Sequence, residues 1–200
     1  MVRFAAAASA LLIAALTLAG CASMRGGAGW QTLIDGAKGM ENWTTEGGAN
    51  WRAEDGAIMA DKRSSTANAF LVSRSPYKNF QIHVEFWASN DANSGIYMRC
   101  SAARPMTDRT CYEANIFDQR PDPTYGTGAI VHLAPVNPMP KAGGKWNTYD
   151  ITVNGPQIVV VLNGVQTASI STDGELPSGP VALQYAGGVI KFRKVQIRPI

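Results

Sequence analysis

The stretch FQIHVEFW, residues 80–87, alternates apolar and polar side chains over its whole length. The apolar members share one parity: Phe80, Ile82, Val84 and Phe86. Successive side chains of a β-strand point to opposite faces of the sheet, so this pattern predicts a half-buried strand. His83 falls on the polar parity, and we interpret it as a structural residue.

Strand-like runs recur along the rest of the chain. They fall at residues 32–34, 51–55, 57–60, 70–73, 95–100, 111–117, 129–133, 145–153, 157–162, 179–185 and 189–197. Asp-Gly at 55–56 and Asn-Gly at 163–164 are favoured hairpin turns between such runs. No stretch after Cys21 has the 3.6-residue apolar period of a helix. The sequence therefore predicts an all-β protein, a β-sandwich of two antiparallel sheets.

Residues 1–20 have the arrangement of a secretory signal peptide, because Arg3 is followed by an apolar run at 4–16. The run is too short to span a bilayer comfortably as a permanent helix. The sequence LAGC at 18–21 resembles a bacterial lipoprotein signal, whose cleavage leaves Cys21 as the lipidated N-terminus. Cleavage after Gly20 or Ala22 without lipidation is the alternative. Ala22 after the cysteine favours, by the same resemblance, the outer membrane.

Residues 21–29 are small and flexible, as in a tether, and residues 30–200 form one domain that is large enough to bury a core. We therefore expect an exported protein, periplasmic or held in the cell envelope, whose lipid anchor contacts a membrane.

The net charge is only +3 and the basic residues are scattered, which argues against a nucleic-acid partner. No cofactor is predicted. Calcium or another divalent metal stays open, because Asp118 and Asp122 offer oxygens but no spaced acidic loop is present.

Two cysteines remain once Cys21 is assigned to the lipid. An even pair in an exported protein predicts a disulfide between Cys100 and Cys111. Strand parity puts the two on opposite faces, so the bond requires a bulge or an irregular strand end. Two unpaired thiols are the alternative.

Most side chains capable of chemistry lie between residues 93 and 132. If the runs 95–100 and 111–117 pair as a hairpin, alternation places Tyr97, Arg99, Glu113 and Asn115 on one surface. An aromatic ring, a cation, a carboxylate and an amide on one open sheet face suit a ligand rich in hydroxyls. A solvated face with a cross-strand Arg–Glu pair is the alternative.

Several short motifs add a family likeness. They are EDG at 54–56, NSGIYMR at 93–99, YE at 112–113, TGAI at 127–130, KWN at 145–147, LNG at 162–164 and ALQ at 182–184. Together they resemble the 3-keto-disaccharide hydrolase family, and the likeness spans residues 30–200. It implies a concanavalin A-like, laminin G-like jelly roll with sugar chemistry at its concave face.

The resemblance also implies a reaction. When C3 of a glucoside is a ketone, the proton on C2 is acidic, so a base removes it and the group on C1 leaves by β-elimination. Water then adds back. An ordinary glycosidase instead needs two carboxyls roughly 5–5.5 Å or 6.5–9.5 Å apart. Glu113 and Asp118 would lie roughly 17 Å apart on an extended strand, at opposite parity.

We predict Glu113 as the general base or acid at the sugar, with Arg99 holding or polarising an oxygen. Asn115, Tyr97 and Gln184 are predicted to shape the pocket around the substrate.

Three further residues are candidates for the site. Asp118 is the second catalytic candidate, because it follows a strand end. His132 is a candidate for proton transfer, with a structural role as the alternative. Trp146 is either a stacking platform for a sugar ring or a core residue.

The chain departs from the family at two places. Members commonly carry Gln-Asp-His-Gly where this chain has QYAG at 184–187, and Glu-x-Gln where it has EAN at 113–115. Either the substrate preference differs, or catalysis is lost and binding is kept. The expected function is hydrolysis of 3-keto-glycosides. The alternatives are a carbohydrate-binding module and a structural envelope lipoprotein that binds no sugar.

Overall fold

The computed structural model describes residues 29–200. The expected signal peptide, the lipidation site Cys21 and the tether up to residue 28 lie outside the described residues. The strands, in chain order, are β1 (Gln31–Asp35), β2 (Trp43–Glu46), β3 (Arg52–Glu54), β4 (Ala57–Ala60), β5 (Ala69–Tyr77), β6 (Phe80–Ala88), β7 (Ser94–Met98), β8 (Tyr112–Ile116), β9 (Lys145–Asn154), β10 (Gln157–Leu162), β11 (Val165–Ser171), β12 (Gly179–Tyr185) and β13 (Ile190–Pro199). Two short 3-10 turns, Met40–Asn42 and Pro123–Tyr125, interrupt the loops.

The strands form two antiparallel sheets that pack as a jelly-roll sandwich, as predicted. The larger sheet has eight strands in the order β11-β10-β9-β6-β13-β4-β3, with β1 also paired to β13. The smaller sheet has five strands in the order β2-β5-β12-β7-β8. No helix within residues 29–200 is long and apolar enough to cross a membrane.

Alternation in β6 places one side of the larger sheet in the core. Phe80, Ile82, Val84 and Phe86 are at most 1% exposed, while the polar members between them are partly exposed. The core-facing side chains of the smaller sheet, such as Ile96 and Leu71, complete the same apolar cluster. The predicted half-buried strand is confirmed.

Three segments differ from the predicted strands. β2 and β11 were not expected, because their threonines, serines and turn glycines hide the alternation. Residues 129–133 were expected to be a strand but pair with β8 only around Ile130. Gly128 at φ +92° and His132 at φ +64° leave the extended conformation on either side of that short pairing.

Candidate active site

The predicted hairpin of β7 and β8 is present, and its register places two candidate residues side by side. Tyr97 pairs with Glu113, and Gly95 pairs with Asn115. Ile96 belongs to the sandwich core, whereas Tyr97 belongs to a separate cluster on the outer face of the smaller sheet. Tyr97 and Glu113 therefore share the outer face, as alternation predicted.

Gln184 joins them from β12, the next strand of the sheet. Ala182 pairs with Tyr97 across β12 and β7, which brings Gln184 two residues further along the same face. The Nε2 of Gln184 donates a hydrogen bond of 2.9 Å to the hydroxyl of Tyr97. The Oε1 of Gln184 is buried and has no hydrogen-bond partner within residues 29–200. We call Tyr97, Glu113 and Gln184 the Glu113 cluster.

Gly95 makes room for the carboxyl group of Glu113. A Cβ atom at Gly95 would lie 2.5 Å from Oε1 of Glu113, so the carboxyl occupies the space that any other side chain would fill. Glycine weakens a strand interior and often marks such a close approach. The absence of a side chain at Gly95 is therefore what allows the Glu113 carboxyl to lie in this position.

Burial changes the charge state of Glu113. It raises the pKa of the carboxyl to about 8, against the counteracting effect of the Tyr97 hydroxyl. Asp108 raises this pKa further, and Arg120 lowers it. Burial and the neighbouring Glu113 also raise the pKa of the Tyr97 hydroxyl well above its usual value. Near neutral pH, both groups therefore hold their protons and can donate hydrogen bonds.

The outer face of the smaller sheet is covered, where the sequence predicted an open surface. Residues 100–111, which we call the disulfide loop, cross this face from β7 towards β2. Met106 packs with Tyr97, Phe70 and Ala182, and Arg104 forms an ion pair of 2.6 Å with Glu46. Glu113 is consequently only 5% exposed.

The disulfide between Cys100 and Cys111 is confirmed. Both cysteines lie just outside the strands, since β7 ends at Met98 and β8 begins at Tyr112. The irregular strand end that the parity argument required is therefore present.

The prediction that Arg99 lies beside Glu113 is wrong. Arg99 has φ +50°, so the alternation of β7 stops before it. Its guanidinium donates to the carbonyl of Lys78 at 2.7 Å, the carbonyl of Gly155 at 2.9 Å and Oδ1 of Asn79 at 3.1 Å. Arg99 therefore ties together the β5–β6 and β9–β10 turns at one end of the sandwich.

The carboxylate of Asp118 holds two loops together. Its carboxylate accepts hydrogen bonds from the hydroxyl of Thr127 at 2.7 Å and from the backbone N–H groups of Ala142 and Gly143 at about 3 Å. These contacts join two loops. The arrangement does not bring Asp118 into the Glu113 cluster, which agrees with the opposite parity of the two carboxyls.

His132 lies beside the disulfide loop. Its Nε2 is 2.9 Å from Oδ2 of Asp108, the residue whose charge raises the pKa of the Glu113 carboxyl. The preceding residue, Val131, donates its N–H to the carbonyl of Glu113 at 3.0 Å. His132 and Asp108 thus form a pair at the margin of the cluster.

Asn115 positions a neighbouring loop. Its Nδ2 donates to the carbonyl of Tyr125 at 2.6 Å, and the ring of Tyr125 lies 6.0 Å from that of His132. The side chain therefore lies on the predicted face and fastens the loop that carries Tyr125.

Trp146 lies on the other side of the molecule, so it cannot be a stacking platform for a sugar bound at the Glu113 cluster, and its exposure shows that it is not a core residue. It pairs with Trp87 between β9 and β6 and is 37% exposed on the outer face of the larger sheet. The guanidinium carbon of Arg193 lies 4.2 Å from the centre of its ring.

Sequence reasoning missed Gly95, Asp108 and Arg120. Gly95 could have been found from the sequence, since an isolated glycine in a strand often indicates that another group approaches the backbone closely. Asp108 and Arg120 lie in loops, where the alternation of a strand does not predict the direction of a side chain. Within the described residues, no three His, Cys, Asp or Glu side chains gather in a group that could hold a metal ion.

Three of the solved structures with a similar fold are bacterial proteins whose names refer to carbohydrates. A candidate glycosyl hydrolase of Parabacteroides distasonis has a TM-score of 0.69 and 19% identity, covering 86% of this chain and 94% of that one. A second one from the same organism has a TM-score of 0.67 and 23% identity, covering 86% of this chain and 99% of that one. The carbohydrate-binding module CBM66 of Bacillus subtilis has a TM-score of 0.59 and 15% identity, covering 78% of this chain and 95% of that one. At these identities the likeness shows the fold alone.

A search of curated proteins found no match. The family model of the 3-keto-alpha-glucoside-1,2-lyase-like domain, in contrast, matches residues 29–198, which is nearly the whole described chain. This match agrees with the motifs of the sequence, with the jelly roll and with a role in glycan processing. The chain therefore belongs to the family of 3-keto-alpha-glucoside-1,2-lyase-like domains.

Proposed function

We propose that this domain cleaves 3-keto-glycosides at the outer face of the smaller sheet. The observation that supports this most directly is the enclosed carboxyl of Glu113, whose pKa is raised to about 8 beside the Tyr97 hydroxyl. Titratable groups with strongly shifted pKa values concentrate at functional sites. A neutral carboxylic acid is also suited to an enolising sugar, because it donates a hydrogen bond to oxygen where negative charge develops.

The reaction needs one base and one acid. The base takes the C2 proton of the 3-keto sugar, and the electron pair moves towards the C3 carbonyl oxygen to give an enolate. When the electrons return, the C1–O bond breaks and the leaving alcohol takes a proton. Water then adds its hydroxyl to C1 and a proton to C2, which gives the free 3-keto sugar. No oxidant or reductant is consumed.

The residues of the cluster divide these tasks. Protonated Glu113 and Tyr97 donate hydrogen bonds to the developing oxyanion. Oε1 of Gln184, which lacks a partner within residues 29–200, accepts a hydrogen bond from a sugar hydroxyl. His132, at the margin of the cluster, is the base. Its ring is oriented by Asp108 at 2.9 Å, and the proton that it takes from C2 passes to the leaving alcohol. The cluster is buried beneath the disulfide loop, so entry of the substrate requires that this loop move.

A second candidate function is carbohydrate binding without turnover. One observation favours it: at the two C-terminal positions where the family pattern has Asp and His, the chain has Tyr185 and Ala186, which are both buried. The hydroxyl of Tyr185 donates to the carbonyl of Gly188 at 3.0 Å and is thus engaged in a turn.

Incubation with 3-keto-trehalose and with trehalose, without added metal, separates the two functions. We expect reducing sugar to be released from the ketone only. Glu113→Leu, which cannot donate a hydrogen bond, should abolish release while the variant stays folded, and Glu41→Leu, at an exposed glutamate elsewhere, should behave as wild type. Binding of a glycan without product from any 3-keto sugar would favour the second function. Normal turnover by Glu113→Leu would remove Glu113 from the mechanism.

The pH profile tests the acid role. If protonated Glu113 is the active form, turnover should fall as pH rises through about 8. A rise of turnover through the same range would mean that Glu113 acts as the base.

We also propose that the domain works outside the cytoplasm, anchored by lipid on Cys21 at the outer membrane. The disulfide of the described domain supports export, since structural disulfides persist in oxidising compartments. Cell fractionation tests this proposal. Cys21→Ser should move the protein from the membrane fraction to the soluble periplasmic fraction.

A further inference from the structure

The disulfide loop is held firmly at its base. The disulfide closes it, and next to that bond the N–H of Ser101 donates to the carbonyl of Thr110 at 2.8 Å. The returning arm of the loop is held as well, because Asp108 lies 2.9 Å from His132. Residues 102–106, in contrast, make no backbone-to-backbone hydrogen bond within residues 29–200. We call residues 102–106 the flap.

The flap is attached to the smaller sheet at two points. Nε and Nη2 of Arg104 donate to Oε1 of Glu46 at 3.0 and 2.6 Å, and the two side chains are 46% and 29% exposed. Met106, which is 4% exposed, packs with Phe70 and Tyr97. The remaining flap residues, at 102, 103 and 105, are exposed. The position of the flap therefore depends on one surface ion pair and one buried side chain.

A cavity of about 500 Å³ lies beside the flap. Its lining includes Glu46, Asn68 and Phe70 from the sheet side, and Arg104 and Met106 from the flap. Protein interiors are packed about as densely as organic crystals, and that packing holds side chains in place. The flap lacks such packing on the side of the cavity, so its movement in that direction breaks few contacts.

Met106 separates this cavity from the Glu113 cluster. The ring of Tyr97, which Met106 covers, belongs to the residue that pairs with Glu113 across β7 and β8. The hydroxyl of Tyr97 also accepts the hydrogen bond from Gln184. Displacement of Met106 therefore uncovers Tyr97, and with it the way to the other two members of the cluster.

We propose that residues 102–106 open and close over the Glu113 cluster, with the ion pair of Arg104 and Glu46 as the latch. The base of the loop stays in place while its tip moves. Exposed ion pairs are weak and are screened by salt, so opening increases with ionic strength. The role of the open form in admitting a 3-keto-glycoside rests on the proposed function, whereas the opening itself does not.

Oxidation of Met106 by hydrogen peroxide measures the opening, because a buried thioether must become accessible before it forms a sulfoxide. Peptide mass spectrometry gives the rate at each methionine. In Glu46→Ala we expect oxidation of Met106 to be about two- to fivefold faster, the range that an exposed ion pair contributes. Glu54→Ala is the matched control, since it removes another surface ion pair of 2.6 Å, and should leave the rate unchanged. Met98, which is fully buried in the core, should stay protected in every variant.

A second variant identifies the latch as the ion pair itself. Arg104→Ala should accelerate the oxidation of Met106 as much as Glu46→Ala does. The double variant should be no faster than either single variant, because each substitution removes the same interaction. Raising the NaCl concentration from about 0.1 M to about 1 M should accelerate the oxidation in wild-type protein and leave the double variant unchanged.

Three results would overturn the proposed latch and flap. They are an unchanged rate at Met106 in Glu46→Ala, a parallel rise at Met98, which indicates global unfolding, and a double variant whose rate increase is the product of the two single increases. Cleavage of 3-keto-glycosides is measured separately. A flap that opens as expected in a protein that cleaves no 3-keto-glycoside would overturn the proposed function alone, and cleavage without any response at Met106 would overturn the flap alone.

Discussion

Glu113 shows how a single carboxyl changes its chemistry when a loop covers it. Its folded-state pKa, about 8, lies above the ordinary glutamate value of 4.5, so between these values the folded chain keeps a proton that the unfolded chain releases. The group's contribution to stability is full below about pH 4.5 and is lost as pH rises towards 8. The loss is at most about 1.4 kcal/mol per pH unit.

Comparison of wild type with Glu113→Gln measures this effect. We expect the free energy of unfolding of the wild type, relative to the variant, to fall as pH rises from about 5 to about 8. Denaturant titrations at several pH values give the difference. A difference that does not change with pH would mean that Glu113 ionises normally, and the acid role would then lose its basis.

Gly95 is the second residue that defines the cluster. In Gly95→Ala the new Cβ would lie 2.5 Å from Oε1 of Glu113, so the flexible carboxyl must move aside. We expect turnover to fall about tenfold or more, since small misplacements of a reacting group are costly, with only a small change in melting temperature.

The control for Gly95→Ala is Gly187→Ala. A Cβ at Gly187 would meet no atom within 4 Å, so this variant should retain wild-type turnover. Full activity of Gly95→Ala would show that the position of the Glu113 carboxyl is not critical to the reaction.

Arg99 acts at the scale of secondary-structure elements, because it joins two turns that belong to different sheet connections. Its buried guanidinium makes three hydrogen bonds, to Lys78, Asn79 and Gly155. Arg99→Ala leaves two carbonyls and an amide without these donors. We expect a loss of roughly 2–4 kcal/mol in the free energy of unfolding, from several unmade buried hydrogen bonds.

A measurement of turnover distinguishes this structural role of Arg99 from a catalytic role. At a temperature where Arg99→Ala remains folded, kcat should match that of the wild type, because the guanidinium does not reach the Glu113 cluster. A large fall in kcat without loss of stability would restore the role that the sequence suggested.

Alternation predicted the sides of β6, β7 and β8 correctly, and with them the shared face of Tyr97 and Glu113. It failed where the backbone leaves the extended region, at Arg99 and His132, which both have positive φ. No pattern in the sequence signals those dihedrals. The sequence also carried no information on where the disulfide loop lies, so a face predicted to be open is covered by it.

At the scale of the whole molecule, the sandwich places on opposite outer faces residues that the sequence analysis had treated together as candidates for sugar binding. The Glu113 cluster occupies the outer face of the smaller sheet, and Trp146 occupies the outer face of the larger one. Two packed sheets lie about 10 Å apart, so a sugar bound at one outer face cannot reach the other. Trp146 therefore takes no part in the proposed reaction.

The comparison of Trp146→Ala with Gln184→Ala tests this separation. Trp146→Ala removes the stacking with Arg193 at 4.2 Å, for which we expect a loss of about 0.5–1 kcal/mol in stability at this exposed site. Its kcat/KM for a 3-keto-glycoside should stay within about twofold of wild type, since the variant changes nothing at the transition state. Gln184→Ala removes both the bond to Tyr97 and the free Oε1, and should lower kcat/KM by about tenfold or more. If Trp146→Ala lowered turnover as strongly, the substrate would have to contact the larger sheet, and the placement of the reaction on the smaller sheet would be wrong.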